Sequence, residues 1–235
     1  LEWDVTDFQL CEKEFQQHFQ SIASQYGMTW KLRSSQIKTK LAIMVSKYDH
    51  CLADLLYKHK NGELNCEISV VISNHKDTEA LVGFYEIPFH HIELNQSNKQ
   101  EAEQEQFTLF KKFDVDLIIL ARYMQILSPK FIEKYPQQII NIHHSFLPAF
   151  VGAKPYHRAY ERGVKLIGAT SHYVTQELDG GPIIEQDIAR VSHRDQVDDL
   201  VRRGKDLERI VLSRAVRWHI ENRVLLYKNK TVIFN

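Results

Sequence analysis

Two segments hold side chains with the means to do chemistry. One is Asn141-Ile-His-His-Ser-Phe-Leu-Pro148; the other starts at Ser171-His-Tyr and reaches Asp179-Gly-Gly-Pro182. Ile139 to His143 is apolar and β-branched, as a buried strand end is. Side chains alternate along a strand, so Asn141 and His143 point to one face, Ile142 and His144 to the other. Asp179 precedes a sharp Gly-Gly-Pro turn that can bare a carboxylate. Amide, imidazole and carboxylate together suit hydrolysis or transfer of a small acyl group. The amide and an imidazolium steady an oxyanion, and the carboxylate orients water or relays a proton. Singly, each has a plainer reading: a turn-forming Asn, a hydrogen-bonded core or edge His, an Asx turn at Asp179. Ser145 offers a hydroxyl, but no Gly-x-Ser-x-Gly elbow surrounds it. It is read as a cap on the turn toward Leu147-Pro148.

As a string, these residues resemble the folate-dependent formyltransferase family. Its pattern is Asn-x-His-x-Ser-x-Leu-Pro, then a strand with His, then Asp-x-Gly-x-Ile. The likeness runs over about residues 40 to 225. It implies a catalytic trio of Asn141, His143 and Asp179, with His172 as an additional active-site histidine. It also implies a pterin pocket along Leu120 to Ser128, walled by Tyr123, Met124, Ile126 and Leu127, with Val174 to Asp179 closing the other side. Gln125 stands where the ribonucleotide-formylating members carry Arg.

Members of the family pass a formyl group from 10-formyltetrahydrofolate to glycinamide ribonucleotide, methionyl-tRNA or sugar amines, and one branch passes it to water. Three features resemble that hydrolytic branch. After the first strand, Ser46 to Leu56 lacks the glycines whose backbone amides cradle a substrate phosphate. Gly152-Ala-Lys-Pro-Tyr-His-Arg forms the loop after the catalytic strand, with Gly152 on the substrate side. Residues 1 to 35 look like the back half of an ACT regulatory domain. The resemblance therefore implies hydrolysis of 10-formyltetrahydrofolate to formate and tetrahydrofolate, with formate feeding purine synthesis. No separate cofactor is implied, since the folate is the substrate. In this scheme His143 acts as an imidazolium whose pKa Asp179 raises, and His172 orders the carboxylate or the water. The alternatives are a formyltransferase acting on a small amine such as glycinamide ribonucleotide, a non-catalytic folate-binding sensor, and a metal hydrolase. For the last, twelve histidines are available. However, adjacent strand histidines face opposite sides, and no His-Glu-x-x-His spacing occurs; metal is expected to be absent.

Thirty basic and thirty acidic residues cancel, which argues against a nucleic-acid or membrane-surface partner. Hydrophobic content of 43% with 26% charged residues is ordinary for a globular chain. Cys11, Cys51 and Cys66 lack metal-type spacing and read as reduced thiols of a cytoplasmic protein. The chain starts at Leu1 without Met, as expected of a domain missing its front.

The expected fold is α/β: an open, mostly parallel twisted sheet with helices on both faces, Rossmann-like, over residues 36–235. A truncated α+β, ferredoxin-like ACT segment precedes it over residues 1–35. Strands are expected at 41–45, 67–72, 87–91, 117–121 and 139–143, with helices between them. Strands 165–174 and 183–190 flank the Asp179 turn as an antiparallel pair. A long helix over 195–222 and a hairpin at 225–227 and 231–234 follow. In the first segment, strands at 1–5 and 28–32 flank a helix over 7–25 with an apolar face of Phe8, Phe15, Phe19 and Ile22. Two strands and one helix cannot close a core, so a homo-oligomer is expected. By resemblance to ACT domains, glycine or methionine would be the effectors.

Overall fold

The computed structural model describes residues 5, 8–34, 36–149 and 155–234. The chain divides into two compact units, Leu1–Ile37 and Lys38–Asn235.

In the first unit the helix α1 spans Glu12–Gln25, starting later than its apolar spacing suggests. Cys11 is extended (φ −70°, ψ 162°), and the Glu14 carboxylate turns back to accept the Cys11 N–H at 2.8 Å, satisfying an otherwise orphaned donor. Phe15 stacks on Phe19 at 5.7 Å, and Phe19 meets Trp30 edge-on at 4.9 Å. The strand expected at 28–32 does not form; that stretch runs without regular pairing. A strand exists only by pairing, and its expected partner at 1–5 lies, Val5 apart, outside the described residues.

In the second unit, strands β1 (Thr39–Val45), β2 (Cys66–Ser73), β3 (Phe89–His91), β4 (Leu117–Leu120), β5 (Ile139–His143), β6 (Leu166–Tyr173) and β7 (Ile183–Arg190) form one sheet. Its order is β3-β2-β1-β4-β5-β6-β7. The first five are parallel; β6 runs antiparallel to both β5 and β7. The helices are α2 (His50–Lys60), α3 (Glu79–Phe84), α4 (Lys99–Lys112), α5 (Pro129–Lys134), α6 (Pro155–Arg162) and α7 (Val197–Ile220), and the hairpin β8 (Val224–Tyr227) and β9 (Lys230–Ile233) ends the unit. Expected and observed elements agree here to within a few residues.

The sequence explains this sheet. Leu41 to Val45 is an unbroken apolar run buried on both faces, as strands covered by crossover helices must be. Its residues alternate between two cores. Leu41, Ile43 and Val45 pack with α2 and α7 side chains such as Leu52 and Val211, and Ala42 and Met44 pack with Phe107, Phe110 and Phe131 from α4 and α5. α5 begins at Pro129 behind Ser128, whose hydroxyl accepts from the Phe131 N–H at 3.2 Å, a capped start with Pro at its preferred position. The chain winds from β1 toward β3 on one side and from β4 toward β5 on the other. The carboxyl ends of β1 and β4 therefore flank the switch point where open α/β sheets take ligands.

Candidate active site

β5 carries Asn141 and His143 to that end of the sheet. Across the β5–β6 ladder Asn141 sits directly opposite His172, so both side chains share a face. Asn141 Nδ2 lies 3.2 Å from His172 Nε2, and His172 Nδ1 lies 2.9 Å from the Tyr173 carbonyl oxygen. A carbonyl only accepts, so Nδ1 carries the proton, and in the neutral ring Nε2 accepts from the Asn141 amide. This bond sets the amide with its NH2 group toward His172 and leaves its second N–H for another acceptor.

The β6–β7 connection folds Asp179 over this pair. Its Oδ2 is 3.3 Å from His143 Nδ1 and its Oδ1 is 3.6 Å from His172 Nε2. Asp179 itself has φ +55°, a left-handed conformation that Asp tolerates better than most residues. Gly181 is obligatory here, because a Cβ would run into the Tyr173 carbonyl oxygen. The hairpin steadies the turn: Asn229 Nδ2 donates to the Gly180 carbonyl at 3.1 Å, and Thr231 Oγ1 donates to the Ile183 carbonyl at 2.6 Å. A cleft of about 550 Å³ opens beside Asp179, bordered by Pro148, Leu178, Asn229 and Lys230.

Burial alone would raise the Asp179 carboxyl, but the His172 and His143 rings beside it hold it below its ordinary value. His143 moves down: burial outweighs the upward pull of Asp179. The expected raised pKa is thus corrected; a ring this enclosed loses more hydration on protonation than one carboxylate returns. His143 Nε2 is buried without a hydrogen-bond partner. His144 points the other way, toward the Tyr156 ring at 6.0 Å, and burial pushes its pKa down to about 3. Ser145 Oγ donates to the Ala149 carbonyl at 2.7 Å, bracing the turn through Leu147 and Pro148.

The residues expected to wall the pterin separate into two groups. Tyr123 and Leu127 are core side chains, 2% and 7% exposed, and Gln106 Nε2 donates to the Tyr123 hydroxyl at 3.0 Å. Both pack into the core beneath that segment. Met124 and Ile126 are exposed, while Gln125 and Val174 are half-buried. Gly152 lies outside the described residues.

A buried network beside His143 is invisible in the motifs. Glu208, midway along α7 and 1% exposed, accepts from the Tyr156 hydroxyl at 2.7 Å and lies 2.7 Å from His50 Nε2. Arg122 Nε stands 3.5 Å away. Burial pushes the Glu208 carboxyl up, but His50, Arg122 and Tyr156 together hold it below its ordinary value. Gly204 makes room for this: the Tyr156 ring rests where its Cβ would be. The available signal was an acid at 208 on the apolar stripe of Leu207, Val211 and Leu212, and an arginine closing the apolar run of β4. His50, Cys51 and Glu208 are also close enough together to hold a metal. Their donor set does not suit one: the Glu208 oxygens are engaged by His50 and Tyr156, a guanidinium stands alongside, and burial pushes the Cys51 thiol far up.

The family described as Formyl transferase matches residues 39–216. A protein of Synechocystis sp. named formyltetrahydrofolate deformylase is 51% identical over 234 residues, covering 100% of this chain and 82% of its own length. The crystal structure of a formyltetrahydrofolate deformylase from Pseudomonas syringae superposes with TM-score 0.94 at 50% identity, over 97% of this chain and 76% of that one. A glycinamide ribonucleotide transformylase from Symbiobacterium toebii shares the fold more distantly, with TM-score 0.80 at 27% identity, over 89% of this chain and 99% of that one.

Proposed function

Since this chain belongs to the formyl transferase family, we propose from that premise that it hydrolyses 10-formyltetrahydrofolate to formate and tetrahydrofolate. One observation carries the reading: half of its residues match proteins named for that reaction along its whole length, against 27% for a ribonucleotide transformylase. The fold is the formyltransferase fold, and the enzyme is a hydrolase of a formamide C–N bond.

The chemistry follows from the site. With Nδ1 toward the Asp179 carboxylate and a pKa below its ordinary value, His143 is neutral at rest and offers the Nε2 lone pair as a base. Water attacks the formyl carbon and yields a proton to Nε2; the carbonyl π electrons move to oxygen, where the second Asn141 N–H meets them. The imidazolium so formed is stabilised by Asp179. It then returns the proton to N10 as the C–N bond breaks, and formic acid ionises to formate. His172 acts through Asn141 by holding the amide. The exposed Met124 and Ile126, with Val174, are the apolar surface for the pterin, and Gly152 and Gln125 belong to the substrate side.

Further parts of the reading are of the same kind. The formate supplies purine synthesis. The first unit is the rear of an ACT domain that takes glycine or methionine and joins subunits of a homo-oligomer. The enzyme works in the cytoplasm; among the described residues no helix is long and apolar enough to cross a membrane. No metal is needed for the chemistry.

The test is formate release from 10-formyltetrahydrofolate with no amine present, followed by NMR of the formate proton. Formate appearing in step with tetrahydrofolate supports hydrolysis. Formylation of added glycinamide ribonucleotide, with no formate in its absence, would move the chain to the transferase reading.

A further inference from the structure

Arg122 follows β4 in the left-handed region, φ +63°, which costs a non-glycine residue about 1 kcal/mol. A bulky residue held there is worth a functional explanation. Its side chain is nine-tenths buried, and both Nε and Nη1 are buried without a hydrogen bond. A guanidinium is always charged and only donates, so buried donors with nothing to receive them are costly. Glu208 does not meet that need: its oxygens already take the Tyr156 hydroxyl and His50 Nε2, and its contact with Arg122 Nε is 3.5 Å. The Tyr48 ring, 5.3 Å from the guanidinium carbon, holds the group from another side. β4 neighbours β5 with Leu120 opposite Asn141, so Arg122 emerges at the same sheet end as His143, whose Nε2 is likewise buried and without a partner.

We propose that Arg122 forms a carboxylate subsite that receives the product formate, its free guanidinium donors taking the formate oxygens beside His143. This rests on the hydrolytic reading and deepens it. Transfer to an amine leaves a neutral formamide, whereas hydrolysis alone leaves an anion at this position. Glu208, His50 and Tyr156 serve as the frame that presents the guanidinium.

The test reads formate on resting enzyme, independent of turnover. ¹³C-formate is titrated into the intact protein at constant ionic strength and followed by its line width, with chloride as the competing anion. Wild type should bind formate, and chloride should displace it poorly. Arg122→Gly, which relieves the left-handed strain, should weaken formate at least tenfold, since charge-assisted hydrogen bonds are lost. Arg122→Lys keeps the charge but not the fork and should fall between; it also serves if the glycine variant does not fold. Equal formate binding in wild type and a folded variant, or displacement by chloride as readily as by formate, overturns the subsite. An enzyme that binds formate through Arg122 yet releases none from substrate would instead sink the hydrolytic reading and leave the subsite standing.

Discussion

Replacing Asp179 by Asn removes one negative charge and almost nothing else. Asn has nearly the same shape and also tolerates the φ of +55° at this position, so the turn survives, which Ala would not guarantee. The carboxylate lies 3.3 Å from His143 Nδ1, and both side chains are at most 10% exposed. Two unit charges at that separation attract by about 5 kcal/mol at an effective dielectric near 20. The resting enzyme does not draw on this, because His143 is neutral; the transition state does, as the ring takes the proton from water. Each ~1.4 kcal/mol is a factor of ten in rate, so the ceiling is just under four orders of magnitude. Water reaching Asp179 from the cleft lowers that, and a loss of kcat between about 10² and 10⁴ is expected, with KM for the folate changed little. The assay is steady-state formate release, paired with folate affinity by fluorescence quenching. With Asp179 gone, the upward pull on His143 also goes, so the acid limb of the rate profile should move to lower pH. Near-normal turnover, or a loss confined to KM, would refute the assignment of the carboxylate to the chemical step.

Four further outcomes are expected. In wild type, kcat/KM should stay level through neutral pH and fall only below 6.5, because His143 has its pKa lowered from that value by burial. Stability should weaken in the same direction: the unfolded chain binds protons at His143 and His144 below about 6.5 while the folded one resists, His144 down to about 3, so the melting temperature should drop as pH falls through that window. Asn141→Ala should slow turnover roughly 10²–10³-fold. His172→Ala should slow it less, and the double variant should match Asn141→Ala alone, since His172 acts by holding that amide; additive losses would give His172 a separate task. Gly181→Ala forces a Cβ into the Tyr173 carbonyl and should cost about 1–3 kcal/mol, typical of overpacking, visible as a lower melting temperature together with lower kcat; an unchanged melting temperature would mean the turn is looser than described.

What was legible in the sequence alone was local. Alternation along five residues placed Asn141 and His143 on one face; Gly-Gly-Pro marked the turn at Asp179; periodicity laid out nearly every strand and helix of the second unit. These depend on neighbours in the chain, where the backbone's geometry converts spacing directly into direction. The first unit resisted because a strand at 28–32 depends on a partner, not on its own apolar pattern. The site's finer state depended on contacts between distant segments. Asn141 meets His172 only through the β5–β6 register, which lines up residues 31 positions apart. Whether His143 rests charged or neutral is the balance of burial against one carboxylate, and neither amount is written in the residue types. Tyr123 and Leu127 turned inward because the chain after β4 twists through left-handed residues at Arg122 and Met124, ending the simple alternation. The Arg122–Glu208–His50–Tyr156 network gathers four elements around one buried carboxylate. Charged residues become informative there only once burial is known, because in water the same side chains would simply be solvated.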